Sequence, residues 1–592
     1  MPRNLAAEAS TSETEPVCLG STDVRESHAA SRPTLALLGA ATVAATTLSA
    51  CGGGGSSGSA SDAAIRPMSA SAAVSIGDAD AARFLLHAQF SASDADISAV
   101  KAQGYTAWLA SQYAAPIGTT GWDWLAAKGY TAITSDKFYN KDYMADYALW
   151  YQLIASPDQV RKRLALALSE HFVASINGSV LWPSHLAMAY WDMLNANLFG
   201  NFRTLLEQVT LSPQMGFWLN ILGSVKADAT TGIEPDENYA REIMQLFTIG
   251  LYQLNADGTY RTDLFGNPQE TYTQDDITSL ARIFTGYHTD MSTTTKNTVS
   301  WQGTAVYSAD YTRLNTVVNA AKHSPEAATF LGVTVPANAD AATGLKIALD
   351  TLVNHANTGP FFARQMIQLL VTSNPSPAYI GRVAAAFNDN GAGVRGDLRA
   401  VWTAIFTDAE ALAQQDATVG GKLREPMVRF VQWARTTEAT SSTGAWAIYN
   451  MMAADTKLGQ SPMRSPTVFN FYRPGYVPPD TQIATRKLVA PEFQILNETS
   501  TAGYLNFMFA VIQTGVADLK PQNTTLLGIA DAAALTDWLN LHLTANQLSA
   551  NSVSLIQATL AAMDISTDAN KLMRVQAGLF LVLACPEYLI QK

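Results

Sequence analysis

The stretch Ser156-Pro157-Asp158-Gln159-Val160-Arg161-Lys162-Arg163-Leu164-Ala165-Leu166-Ala167-Leu168-Ser169-Glu170-His171-Phe172 decides the fold class. Ser156 is a good N-cap, Pro157 suits the first helical position and Gln159 the third, so a helix is predicted from Pro157 onward. Val160, Leu164, Leu168 and Phe172 then recur every four residues, which marks a buried stripe. Glu170 and His171 close the run. As neighbours they diverge by about 100° around a helix, so they form no ready acid–base or metal pair. His171 near a helix C-terminus also suits a charge–dipole interaction.

The same signals recur along the chain. Thr273-Gln274-Asp275-Asp276 reads as a capping box, leading through Ile277, Leu280, Ala281 and Phe284 to a stop at Gly286. Helical patterns also cover 78–90, 141–154, 236–250, 360–372, 376–388, 490–512 and 531–583, the last as several helices. Strand signals are sparse. Val299 to Tyr307, with Gly303 central, reads as one hairpin within an excursion at 289–322, and Asn255-Ala256-Asp257-Gly258 as a tight turn. The expected fold is mostly α: a large multi-helix, two-lobed body with small β-hairpin excursions, its lobes at 76–290 and 323–592.

Of the 592 residues, 48% are hydrophobic and 15% charged. The charged share is low against about 25% in ordinary globular proteins, so a large core is affordable to the chain. The net charge of −12 is dispersed, which argues against a nucleic-acid partner. There are three cysteines, Cys18, Cys51 and Cys585. Cys585 lies beside the apolar Leu579–Ala584 run and reads as a buried structural thiol, so no disulfide is expected within the body.

Leu48-Ser49-Ala50-Cys51 closes the apolar, uncharged segment Leu35–Ala50, with Arg25 and Arg32 ahead of it. The segment is too short to span a bilayer. It reads instead as a lipoprotein-type signal peptide over 1–50, cleaved before Cys51, whose thiol carries the lipid. Residues 1–24 are acidic through Glu8, Glu13, Glu15 and Asp23, which points to a translation start downstream of Met1, at Val24. The Gly/Ser-rich run that follows makes 51–75 a flexible tether to a helical domain at 76–592. The expected location is the cell envelope, on an outer membrane, with the membrane as partner through Cys51.

Several runs together resemble the bacterial family known as domain of unknown function 1800 (DUF1800). They include Ala81-Ala82-Arg83-Phe84-Leu85, Trp108-Leu109-Ala110-Ser111-Gln112, Pro235-Asp236-Glu237-Asn238-Tyr239-Ala240-Arg241-Glu242-Ile243-Met244-Gln245-Leu246-Phe247-Thr248-Ile249-Gly250, Gly393-Val394-Arg395-Gly396-Asp397-Leu398 and Ser465-Pro466-Thr467-Val468-Phe469-Asn470-Phe471-Tyr472-Arg473-Pro474. The resemblance spans about residues 80–591. It implies an exported, largely helical protein, with a possible partner in a second exported family, DUF1501, that looks related to sulfatases and alkaline phosphatases. The chain departs from a pattern of many relatives, a His followed shortly by Lys before Phe-Leu-Gly. Here His323 is followed by Ser-Pro-Glu-Ala-Ala-Thr before Phe330-Leu331-Gly332.

On a regular helix, Asn238, Arg241, Glu242 and Gln245 fall at i, i+3, i+4 and i+7 and share one face. That face suits a polar ligand (Asn238, Gln245) or acid–base work by Glu242 or Glu237 with Arg241, aided by His171 or His355. The plainer reading pairs Glu237 with Arg241 as helix stabilisers. Arg395, ahead of Asp397 as a helix cap, is a further ligand candidate, and so is Arg473 in its aromatic, Pro-rich loop. His288, His323 and His355 are dispersed, so no metal site is expected. No phosphate-binding Gly-rich loop, nucleophile elbow or catalytic Cys occurs, and no cofactor is expected. The leading expectation is a membrane-tethered binding or assembly component working with another exported protein. The alternative is an envelope enzyme with hydrolase-like acid–base chemistry on the Glu237/Arg241/Glu242 face.

Overall fold

The opening run does form a helix, Gln159–His171, but its start differs from the one expected. Ser156 precedes Pro157 in extended backbone and donates its hydroxyl to Asp158, which takes the cap position without capping through its side chain. The Asp158 carboxylate is drawn instead to Arg161 (3.5 Å) and Lys162 (3.6 Å). The reason is burial. Every residue from Val160 to His171 is buried, not only the stripe. Three consecutive cations therefore need partners inside the protein. Arg161 donates to the Asn195 carbonyl (2.7 Å), Lys162 to Asn195 Oδ1 (2.9 Å) and Arg163 to the Leu369 carbonyl (2.8 Å).

The structure, a computed structural model, describes residues 75–592 apart from 134–137, 178–180, 302 and 416–419. The signal segment, Cys51 and the tether up to residue 74 lie outside the described residues. Among the described residues are twenty-four α-helices and five two-stranded sheets, all antiparallel. The mostly α expectation holds. Helix Gln159–His171 is central, packing on Asp78–Ala88, Tyr143–Ala155, Pro183–Asn197 and Thr358–Leu370. Buried apolar residues form one contiguous cluster from Ala81 to Tyr588. Among the described residues no helix is long and apolar enough to cross a membrane.

Local signals mostly translate as read. Thr273 accepts from the Asp276 N–H while Asp276 accepts from the Thr273 N–H (2.8 Å), and the helix Gln274–Ala281 follows. Its exit turns at Gly286, where φ is +82° and a Cβ would stand 2.8 Å from the Asn319 carbonyl oxygen, so only glycine fits. Asp397 caps Leu398–Thr407 through the Arg399 N–H (3.0 Å). The hairpin pairs Lys296–Trp301 with Thr304–Tyr307. The 531–583 stretch divides into Ala532–Thr544, Ala550–Ala561 and Asp568–Leu583. Cys585 is only partly buried; its thiol donates to the Leu581 carbonyl, and burial pushes it up.

Charged links tie distant parts of the chain. Buried Arg464 forks onto Asp146 (2.8 and 2.7 Å) and also reaches Asp142 (3.0 Å) and Asn177 (3.2 Å). His185 makes no hydrogen bond through either ring nitrogen and packs edge-on against Trp182 (4.8 Å) and Trp122 (5.7 Å). Burial pushes it down to about 3 from 6.5. The unfolded chain therefore binds a proton that the folded one refuses between those values. Stability from this residue is present above pH 6.5 and lost as pH falls below it. His185→Phe is expected to gain on the parent by about 1.4 kcal/mol per pH unit below 6.5. Denaturant melts at several pH values check this; a gap that stays constant with pH refutes it.

Candidate functional site

The predicted 236–250 helix changes pitch midway. Asn238–Glu242 is α-helical, but Ile243–Thr248 is a π-helix, with the Ile249 N–H donating to the Met244 carbonyl (2.9 Å) and the Thr248 hydroxyl to the Ile243 carbonyl (2.5 Å). A π turn holds more residues than an α turn, so the expected i, i+3, i+4, i+7 face is broken up. Glu237 and Arg241 pair (3.2 Å) and reach the neighbouring Gln274–Ala281 helix. Glu237 accepts from Gln274 (2.8 Å) and Thr278 (2.7 Å), while Arg241 donates to Gln274 (3.3 Å). Glu242 is buried, its Oε2 lacks a hydrogen-bond partner, and burial pushes its carboxyl up against the opposing pull of Arg241. The Asn238 N–H donates to Asp236 (2.8 Å). Gln245 turns another way and accepts from the Tyr272 hydroxyl (3.2 Å).

The remaining candidates are dispersed. His171 is buried among Phe172, Phe247, Phe361 and Phe362, bonds the Phe247 carbonyl (3.1 Å), and burial pushes it down to about 4, so it is neutral. His355 accepts from the Asn357 N–H (3.1 Å). Burial, with help from Arg395, lowers its proton affinity. Arg395 spends its guanidinium on the Val353 carbonyl (2.8 Å), the His355 carbonyl (3.0 Å) and Asn388 (2.5 Å). Among the described residues no group of three or more His, Cys, Asp or Glu could hold a metal.

Two of the candidates, Gln245 and Arg473, line one cleft of about 650 Å³. This is within the size range of small-molecule sites. Three distant segments build it. The first follows the π-helix: Gly250 (φ +70°) brings the backbone against Phe361, where a Cβ would stand 2.8 Å from the ring. Buried Asn357 then pins the chain by donating to the Ile249 and Tyr252 carbonyls (2.8 Å each) and accepting from the Leu254 N–H (2.9 Å). This sets Tyr252 and Tyr260 edge to face at 5.6 Å on the rim. The second segment is the helix Thr358–Leu370, which contributes Phe361, Arg364, Gln365 and Gln368. The third is the Phe469–Gly475 loop with Leu488 and Val489. Tyr472 holds that loop from inside by donating to Glu425 (2.7 Å), and Asn374 clamps Val489 through two 2.9 Å bonds.

The electrostatics of the cleft contrast with the acidic chain. Arg364 and Arg473 line it and no Asp or Glu does. Arg364 donates to the Gly258 carbonyl (2.6 Å). The Arg473 guanidinium lies over the Phe469 ring (4.7 Å), and among the described residues no carboxylate or carbonyl accepts from it. Stacked in this way, a guanidinium keeps its planar edge free for a carboxylate, sulfate or phosphate.

Sequence reasoning missed Arg364, Gln365 and Gln368. Their signal was legible: polar residues at i, i+1 and i+4 in an otherwise apolar helix. It also read 255–258 only as a turn, although the tyrosines flanking that turn form a wall of the cleft.

The chain belongs to the family described as protein of unknown function (DUF1800), whose model matches residues 83–590. No curated protein and no solved structure matches it.

Proposed function

We propose that this protein is a membrane-tethered binding component of the cell envelope whose cleft receives an anion-bearing ligand. One observation carries the reading: two arginines and no carboxylate line an aromatic cleft in a chain of net charge −12. An isolated cationic cleft on an acidic surface attracts anions locally and repels them elsewhere, which favours selective capture over general stickiness. A lipid on Cys51 and the Gly/Ser tether hold the body at an outer membrane. Assembly with a second exported protein, of the DUF1501 family, is part of the same proposal; a crosslinked pull-down of the full chain that recovers no such protein removes it.

The acid–base alternative has less support. Glu237 and Arg241 bond to the Gln274–Ala281 helix, and neither His171 nor His355 bonds to Glu242.

The cleft is tested by fluorescence titration of the full chain with anilinonaphthalene sulfonate, an aryl anion. Removing both arginines (Arg364→Ala with Arg473→Ala) is expected to weaken binding at least about tenfold, the worth of one charge-assisted hydrogen bond. Equal affinity in the double variant sinks the anion reading. Anchorage has a separate test: Cys51→Ala moves the protein from the membrane to the soluble fraction, and retention in the membrane contradicts the lipid.

A further inference from the structure

The cleft's hydrogen-bonding groups are more mixed than an anion alone requires. Gln368 lies at its floor and is only 7% exposed. Its Nε2 donates to the Ser373 carbonyl (3.0 Å) and faces the Pro474 carbonyl (3.4 Å). Those two carbonyls fix the amide's orientation, because a flip would set oxygen against oxygen. Its Oε1 is thereby left as a buried acceptor with no donor. That oxygen is closed to solvent, so the amides a ligand meets in the cleft are those of the partly exposed Gln245 and Gln365. Nearby, Gln245 accepts from Tyr272 through its oxygen, and among the described residues Gln365 has no hydrogen-bond partner. Above this floor the rim carries Tyr252 and Tyr260, 38% and 50% exposed, with the Arg364 guanidinium over the Tyr260 ring (5.9 Å).

We infer that the ligand is an acidic oligosaccharide, a sugar chain bearing carboxylates. This inference rests on the anion reading of the cleft. A pyranose ring has an apolar C–H face for the tyrosines and hydroxyls that both donate and accept, as the glutamine amides do. Its carboxylate suits the free edge of Arg473. An aryl acid or an acyl chain would satisfy the rings and the arginine but leave the Gln245 and Gln365 amides without a partner. A neutral sugar would satisfy the amides but not the guanidinium. The uronate-type saccharide is the class that satisfies all three sets.

The test is calorimetric titration of the full chain with trigalacturonate, maltotriose and benzoate. Trigalacturonate is expected to bind at least about tenfold more tightly than either of the others. Arg473→Ala should reduce it to the level of maltotriose. Gln365→Ala should weaken trigalacturonate at least about fivefold while leaving anilinonaphthalene sulfonate unchanged. Gln245→Ala carries the same expectation at smaller size. Maltotriose binding as well as the uronate, or benzoate doing so with no effect of the glutamine variants, overturns the inference. If the sulfonate dye binds through the arginines and trigalacturonate does not, the saccharide class falls and the anion site stands. If neither binds, both fall.

Discussion

Arg464→Met is expected to destabilise the fold by about 3–5 kcal/mol, the typical penalty for stranding one member of a buried ion pair. Arg464 and Asp146 are 4% and 1% exposed. The fork between them joins the helix Tyr143–Ala155 to a segment more than 300 positions downstream. Even with that fork in place, burial pushes Asp146 up to about 6, ahead of the opposing pull of Arg464. Without Arg464 the carboxylate has lost its main counter-charge and either ionises at high cost or takes up a proton. The sign follows. A folded value above the unfolded one means that stability falls as pH rises from about 4 through 6, and in the variant this fall steepens and extends upward. The double variant Asp146→Leu/Arg464→Met, which removes both charges, should recover most of the loss. Urea denaturation of the three proteins at pH 5 and pH 8 decides it. A single variant as stable as the parent refutes the account.

Glu170 and Glu425 are expected to respond in opposite directions to the same substitution. Both are buried beside Arg163 and Lys422. Burial, and then the neighbouring Glu425 through its charge and a side-chain hydrogen bond, push Glu170 well above 4.5. Glu425 is equally buried, yet Lys422, the hydrogen bond with Glu170, Arg163 and the Tyr472 hydroxyl hold it below the usual carboxylate range. Gln460 also donates to it (2.7 Å). Of the pair, Glu170 therefore holds its proton to the higher pH. Glu170→Gln replaces a neutral acid with a neutral amide and avoids the cost of protonation. It should stabilise the protein at neutral pH, with the gain growing as pH rises above 4.5. Glu425→Gln removes the one ionised member and should cost about 3 kcal/mol. Its loss is present above pH 4.5 and shrinks as pH falls through the depressed value. Thermal unfolding across pH 4–8 tests both. Equal effects from the two substitutions would show that the proton is not localised.

The substitutions also reach the cleft by identifiable contacts. Tyr472, which accompanies Glu425, precedes Arg473 in the loop that forms one wall. The Leu369 carbonyl, which accepts from both Arg163 and Lys422 (2.8 and 2.7 Å), follows Gln368 at the floor. The buried charges therefore fix the position of two cleft-lining residues that they do not touch.

Much of the helical framework was legible because its signals are local. The Thr273/Asp276 box, the Asp397 cap and the Gly286 stop each involve groups within a few residues, and the structure contains all three. The Arg473 loop also stood out, because aromatic and proline residues crowd around one arginine, and it lines the cleft. The polar face at 238–245 was not legible in its true form. Regular α geometry placed Gln245 with Glu242 and Arg241, whereas the π turn sends Gln245 to the cleft and leaves Arg241 on the Gln274–Ala281 helix.

By itself the sequence determined the helical class, the family and most caps, because hydrogen bonds and apolar periodicity act over one or two turns. Only the tertiary structure decided which helix is central and where the cleft lies. Arg161-Lys162-Arg163 has the look of a solvated face, and it is buried because its partners arrive from elsewhere, Leu369 from 206 positions away. The cost of burying a charge is set by the groups that meet it there. The cleft follows the same logic, since its walls come from 245–260, 361–375 and 469–489.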